Sequence, residues 1–233
     1  TCTPALDTLV RRHNPNTTDI SSTINTDTYL PANRYPHTGS LTLGWSGSLS
    51  TVRYLSLLKN VLLELRDEFP FKLRVIGSTD FRIEGLDVAA LPWQEHTEVD
   101  DLNQIDIGLY PLPQEEWVLG KSGLKALQYM ALGIPTVATA IGANFRVIED
   151  GVSGFLVSTE EEWKEKILLL ARDPELRRRM GHKARERVEA LYSVHANRDT
   201  YVRILDAVIG GETDPRRPVE HSRGATGAET GAK

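Results

Sequence analysis

Residues Gly120–Ala138 read GKSGLKALQYMALGIPTVA. Leu124, Leu127, Met130 and Ala131 fall on one face of a helix, because residues three and four apart are neighbours on its surface. Gly133 ends that helix, and Pro135 stands just beyond it in the order expected after a C-cap. Thr136 to Thr139 then reads as a short strand. A helix running straight into a strand is one half of a βαβ unit, so the same alternation is sought on either side.

Upstream, Ile105, Ile107 and Leu109 alternate before the breaker Pro111-Leu112-Pro113 and predict a strand. Val88 to Leu91 is another, followed by Thr97 with Asp100 in the spacing of a capping box that opens a short helix around Leu102. Phe71 to Ile76 is a strand closed by Gly77 and Ser78. Leu55, Leu58, Leu62 and Leu65 predict a helix with Ser50 or Thr51 as N-cap, and LTLGW at 41–45 predicts the strand before it. Downstream, the turn Asp150-Gly151 precedes a strand from Gly154 to Val157. Thr159 with Glu162 is a capping box, Asp173-Pro174 places a good N-cap before a proline at N1, and Ser193 caps a last helix ending near Ile209. Strands alternating with helices predict an α/β fold, a doubly wound Rossmann-like parallel sheet, over about 40–210.

The flanks differ. Residues 1–39 are rich in Thr, Asn, Pro and Asp, with one apolar-periodic piece around Leu6 to Val10, and read as a connector. Residues 211–233 (GETDPRRPVEHSRGATGAETGAK) hold almost no large apolar side chain to offset the entropy of ordering, and disorder is expected there.

With 233 residues, 40% hydrophobic and 25% charged, the chain has ordinary globular composition. A net charge of −5 argues against a nucleic-acid partner, which usually demands a basic surplus. The single cysteine, Cys2, excludes an internal disulfide and a cysteine-built zinc site and fits a reducing compartment, so cytoplasmic localisation is expected. Neither a membrane-length apolar run nor a signal-peptide pattern is visible. The chain starts at Thr1, as a processed product or a piece lacking its N-terminal part would.

In an open α/β sheet ligands bind beyond the carboxyl ends of the strands. Three loops there carry suggestive chemistry. Trp45-Ser46-Gly47-Ser48-Leu49-Ser50-Thr51 leads into a helix N-terminus and either holds an anion on its N–H and hydroxyl groups or is a capped turn that binds nothing. At Gly120-Lys121-Ser122-Gly123-Leu124-Lys125, two lysines four apart near a helix start oppose its dipole by roughly 0.3–1 kcal/mol each. Either a bound anion reverses that sign or the pair is simply solvated. Gly123 allows close backbone approach to a phosphate or serves helix packing. Trp93, in Leu91-Pro92-Trp93, offers a wall for a base or is plain packing. His96 has no second ligand at metal spacing, Glu115 and Glu116 are sequence neighbours rather than a converging glycosidase pair, and no hydrolase signature occurs.

Together, Gly120 to Ala138, Leu43-Gly44-Trp45-Ser46-Gly47-Ser48 with Ser50-Thr51, Asp106-Ile107-Gly108-Leu109-Tyr110-Pro111, and Ile148 to Val157 (IEDGVSGFLV) stand in an order that resembles the glycosyltransferase group 1 family, also called glycosyltransferase family 4. The resemblance extends over about 22–205. It implies the C-terminal half of a GT-B fold: two Rossmann-like domains across a cleft, the C-terminal one holding a nucleotide-diphosphate sugar whose sugar is transferred with retention. It further implies that Ile24-Asn25-Thr26-Asp27 and Pro31 mark the interdomain connector, that a missing N-terminal domain carried the acceptor site, and that the final helix crosses onto that domain. A glycan or lipid-linked acceptor, polysaccharide biosynthesis and contact with the inner face of the cell membrane belong to the same implication, with no metal or cofactor expected; no basic amphipathic helix marks such contact.

Two glutamates eight apart in the family motif are here Gly120 and Gln128. Gln128 keeps hydrogen-bonding capacity toward ribose hydroxyls without charge, and Glu116 is a stand-in candidate for the lost first glutamate. The family's diphosphate-binding Arg and Lys match only as Ser48 and Arg53, so Lys121 and Lys125 are expected to supply positive charge to the leaving diphosphate. The donor-binding set is therefore Ser46, Gly47, Ser48, Arg53, Trp93, Glu116, Lys121, Ser122, Gly123, Lys125 and Gln128; no catalytic residue is assigned. Other readings are a non-catalytic interaction domain, suggested by the lost glutamates, and another nucleotide-sugar enzyme such as an epimerase, against which the lack of G-x-G-x-x-G and of Tyr-x-x-x-Lys speaks.

Overall fold

The computed structural model describes residues 1–32 and 40–210; the tail expectation for 211–233 lies outside them. Six strands, β1 (Leu41–Ser46), β2 (Phe71–Ile76), β3 (Val88–Leu91), β4 (Ile107–Tyr110), β5 (Thr136–Thr139) and β6 (Gly154–Val157), form one sheet in the order β3-β2-β1-β4-β5-β6. Every pairing is parallel. The order reverses between β1 and β4, the switch point at which doubly wound sheets open a crevice beyond the strand ends.

Helices cover both faces. On one, α2 (Lys59–Glu68) and α6 (Glu160–Arg172) bury Leu62, Leu65, Trp163, Ile167 and Leu170 against Leu43, Trp45, Leu73, Ile107 and Leu109 of the strands. On the other lie α3 (Glu98–Leu102), α4 (Leu124–Ala131) and α7 (Pro174–Leu191). There Leu127, Met130, Ala184 and Val188 share a cluster with Tyr110 and Ala138. Because both faces are covered, β4 and β5 are buried at every position, and the Ile105-Ile107-Leu109 alternation marks two buried faces rather than one wet and one dry. Gly108 has no side chain because the Tyr129 ring occupies that space: a Cβ there would lie 2.6 Å from its Cδ2.

The cap readings divide. Thr159 accepts from the Glu162 amide and Glu162 returns the bond. Asp173 accepts from Leu176 N at 2.8 Å, and Ser193 from Ala196 N at 3.0 Å, opening α8 (Val194–Ile209). Thr51 and Thr97 make no such bond. The Thr51 hydroxyl instead accepts from Ser48 N at 3.1 Å and closes the loop before it. Thr97 sits at φ −111°, ψ −6°, away from the extended conformation that turns an N-cap hydroxyl toward the N3 amide. The expected helix through Leu55 is correspondingly a 3-10 segment, Val52–Leu58, that becomes α-helical only at Lys59.

The stretch read as connector holds a helix, α1 (Pro4–Arg11), with Thr3 as N-cap and proline in its first turn. It is anchored to the domain: Arg146 donates to Asp19 at 2.7 Å and to the Cys2 carbonyl at 2.8 Å. Ile24 exchanges backbone bonds with Tyr192 and Val194, and the Arg185 guanidinium donates to the carbonyls of Thr26, Tyr29 and Ala131. Two short elements were not expected: α5 (Asn144–Val147) and a 3-10 segment at Glu116–Gly120.

Candidate functional site

A cleft of about 720 Å³ opens beyond the carboxyl ends of β1, β2 and β3, next to the switch point. Its floor is Ser46 to Ser50, its walls are Gly77 to Thr79 and Pro92-Trp93, and Glu98, Lys125 and Gln128 reach in from α3 and α4. The floor is locally determined. Gly77 has φ +103°, and a Cβ there would stand 1.7 Å from the Gly47 carbonyl oxygen, so the loops after β1 and β2 touch only because position 77 is glycine. Gly47 N donates to Ile76 O at 2.9 Å, and the hydroxyls of Ser48 and Ser50 lie 2.9 Å apart on the same loop. Beneath, Ser46 N donates at 2.7 Å to the phenol of Tyr129, which is fully buried.

Lys125 extends from the first turn of α4 with its ammonium 5.7 Å from the Trp45 ring centre. Burial pushes its pKa down to about 8; the Lys121 charge adds to the fall and Glu98 opposes it. A partly desolvated ammonium at a cleft wall attracts an anion strongly, because little water competes for it.

Opposite, Glu98 gathers three donors. Trp93 Nε1 donates to its Oε1 at 2.7 Å, Gln128 Nε2 to the same oxygen at 3.1 Å, and the Tyr29 hydroxyl to Oε2 at 2.5 Å. Gln128 Nε2 also donates to Tyr29 Oη at 3.0 Å. Desolvation, with Glu98 adding to it, pushes the Tyr29 phenol up to about 12.

Of the sequence-derived set, Ser46, Gly47, Ser48, Trp93, Lys125 and Gln128 line this cleft; Arg53, Glu116, Lys121, Ser122 and Gly123 do not. Arg53 donates to the Tyr54 hydroxyl at 3.0 Å. Glu116 is exposed at the start of its 3-10 segment. Gly123, at φ +77°, starts α4 with Val147 Cγ2 3.1 Å from where a Cβ would be, so left-handed backbone and close packing both call for glycine. That turn leaves Lys121 outside the helix, so the two lysines are not stacked one turn apart as their spacing suggested. The Lys121 ammonium lies 5.1 Å from the Trp117 ring centre, and a narrow crevice between Trp45, Tyr54 and Tyr110 has both Lys121 and Lys125 at its edge. Glu98 and Tyr29 were missed; an acidic residue in the first turn of a short helix carries no distinctive signal.

The model of the family described as glycosyl transferases group 1 matches residues 40–173. A trehalose synthase of Pyrococcus horikoshii is 36% identical over 88 residues, 38% of this chain and 21% of that protein. A D-inositol 3-phosphate glycosyltransferase of Saccharomonospora viridis is 36% identical over 89 residues, 37% of this chain and 19% of its own. Among solved structures, sucrose-phosphate synthase from Thermosynechococcus elongatus superposes with a TM-score of 0.69 at 19% identity, covering 91% of this chain and 58% of that one. Anabaena Alr3699/HepE in complex with UDP and glucose gives a TM-score of 0.65 at 17% identity over 82% of this chain and 57% of that one. The chain spans about a fifth of the length of these curated relatives.

Proposed function

The chain belongs to the glycosyl transferases group 1 family, and from that premise we propose that it forms the donor-binding part of an enzyme that transfers a sugar from a nucleotide-diphosphate sugar. The supporting observation is the cleft at the carboxyl ends of β1 to β3, which sets a partly buried ammonium, Lys125, against a hydroxyl-rich loop and an indole wall. The diphosphate lies over Ser46 to Ser50 within reach of Lys125, the base against Trp93 and the ribose hydroxyls at Gln128. The similar Anabaena protein binds UDP and glucose, which supports a nucleoside diphosphate as the ligand class.

In this reading Lys125 stabilises charge on the departing diphosphate without moving, which is preorganised electrostatic catalysis. Lys121 adds positive charge at longer range. Residues 1–39 join an N-terminal domain that binds a glycan or lipid-linked acceptor, 40–210 is the donor domain, and transfer proceeds with retention. The chain on its own is inactive because acceptor and donor must meet across the cleft.

Calorimetric titration of the chain with uridine, guanosine and adenosine diphosphates tests the reading. One of the three is expected to bind with a dissociation constant in the micromolar range; no heat of binding from any of them at millimolar concentration overturns it.

A further inference from the structure

Among the groups around the cleft, Glu98 stands out because it accepts hydrogen bonds from three side chains on separate parts of the fold, while its role follows from no sequence motif. Its two oxygens accept from Trp93, Gln128 and Tyr29, which come from the loop after β3, from α4 and from the segment before the sheet. A carboxylate accepts and never donates, so it imposes a direction on each partner. The consequence is largest at Gln128. A carboxamide has two N–H donors, and here Nε2 directs one to Glu98 at 3.1 Å and the other to Tyr29 at 3.0 Å. With both amide hydrogens engaged, the carbonyl oxygen is the one polar group of this cleft-lining side chain left to meet a ligand.

We infer that Glu98 is a positioning residue that makes the nucleoside end of the cleft acceptor-only, selecting a ligand whose vicinal hydroxyls donate, as the ribose of a ribonucleoside diphosphate does. The inference rests on the donor-site reading above and adds to it the feature that distinguishes a ribose from a deoxyribose. An unconstrained carboxamide turns over to present either its carbonyl or its NH₂ group and discriminates poorly. A clamped one rejects a sugar that lacks a hydroxyl, because the carbonyl then stays desolvated and unpaired. Tyr29 completes the clamp: its hydroxyl donates to Glu98 while accepting from Gln128, so neither amide hydrogen is released without breaking a bond. Trp93 is held by the same carboxylate, which sets the base wall and the sugar contact at a fixed separation.

The test is a double-variant cycle on the full chain, read by calorimetry with uridine, guanosine and adenosine diphosphates and their 2′-deoxy counterparts, every variant first checked for a cooperative thermal transition. The unaltered chain is expected to bind the ribo form at least tenfold more tightly than the deoxy form. Glu98→Gln should compress that ratio below threefold, because the Gln128 amide is then free to reverse. Gln128→Glu alone should weaken the ribo ligand at least tenfold, since it sets two carboxylates in hydrogen-bond contact. Glu98→Gln with Gln128→Glu should restore both affinity and ratio to within threefold of the unaltered chain. Should Glu98→Gln not fold, Tyr29→Phe frees one amide hydrogen at less structural cost and should lower the ratio to about half. A ratio unchanged in Glu98→Gln or Tyr29→Phe, or a double variant as weak as the product of the two single losses, overturns the inference. Failure of the unaltered chain to bind any of the three diphosphates defeats the donor-site reading itself, whereas binding without ribo preference defeats this inference alone.

Discussion

The Lys125 ammonium, on the wall of the cleft, lies 5.7 Å from the centre of the Trp45 indole ring. Trp45 is buried at the end of β1, so a charge has been brought against the apolar core at the point where the sheet opens to solvent. Such placement costs stability and is tolerated where the charge has a partner to meet.

Replacing Lys125 with methionine should separate those two effects. Its pKa is depressed from 10.5 to about 8, chiefly by burial. Between those values the unfolded chain holds a proton that the folded chain has released, so stability rises with pH across that window and the charge is carried at a cost below it. Lys125→Met is therefore expected to raise stability at pH 7 by on the order of 1–3 kcal/mol, read as a higher urea midpoint. Nucleoside diphosphate affinity should meanwhile fall at least tenfold. In the unaltered chain affinity should decline as pH rises through about 8, shifted upward by whatever the bound diphosphate contributes. A variant that is less stable than the parent, or that binds as well, contradicts the account.

Trp93 is 50% exposed, which leaves its indole face available while Nε1 is tied to Glu98. Stacking of a base on an aromatic ring is worth about 1–3 kcal/mol, so Trp93→Ala should weaken diphosphate binding by about tenfold and shift stability by less than about 1 kcal/mol. Its indole emission should change on titration with nucleotide. Equal affinity in Trp93→Ala and the parent would place the base elsewhere.

Much of the fold was legible because its signals are local. β2 and β3 are bounded at both ends by Pro70 and Gly77 and by Asp87 and Pro92, β5 starts directly after Pro135 and β6 at Gly154, and the caps of α6, α7 and α8 need only a residue and its neighbours three positions on. The Thr3-Pro4 pair that opens α1 is the same signal as Asp173-Pro174, yet it sits in a polar stretch whose composition reads as linker. The clamp around Glu98 was not legible in kind: Tyr29 and Gln128 lie 69 and 30 positions from it, and only the docking of residues 1–32 onto the domain brings the phenol to the cleft. Lys121 shows the opposite failure, where correct spacing to Lys125 carried a wrong geometry because a left-handed Gly123 starts the helix after it.

Gly77 is where the cleft floor depends on a single missing atom. Alanine there requires a left-handed φ of +103° and a Cβ that would lie 1.7 Å from the Gly47 carbonyl oxygen, so the loops after β1 and β2 must part. Gly77→Ala is expected to cost at least about 2 kcal/mol in urea unfolding. It should also abolish measurable diphosphate binding in the fraction that remains folded at low denaturant. A stable variant with parental affinity would show that the two loops do not need to touch.

Tyr129 links the core to the site by one bond. Its ring fills the space over Gly108, and its hydroxyl accepts from Ser46 N at 2.7 Å in a fully buried setting. Tyr129→Phe keeps the ring and removes only that acceptor. The Ser46 amide is then buried without a partner, a penalty of about 1–3 kcal/mol, and the backbone at Ser46 gains freedom to turn outward toward water. The expected result is a lower thermal midpoint together with faster amide hydrogen exchange at Ser46 and Gly47, while exchange across β5 and β6 stays as slow as global unfolding permits. Because the same backbone floors the cleft, diphosphate affinity should fall severalfold although no group in contact with the ligand has changed. A loss of stability with affinity intact would mean that the floor is held by Gly47 and Gly77 alone and that Tyr129 serves only the core.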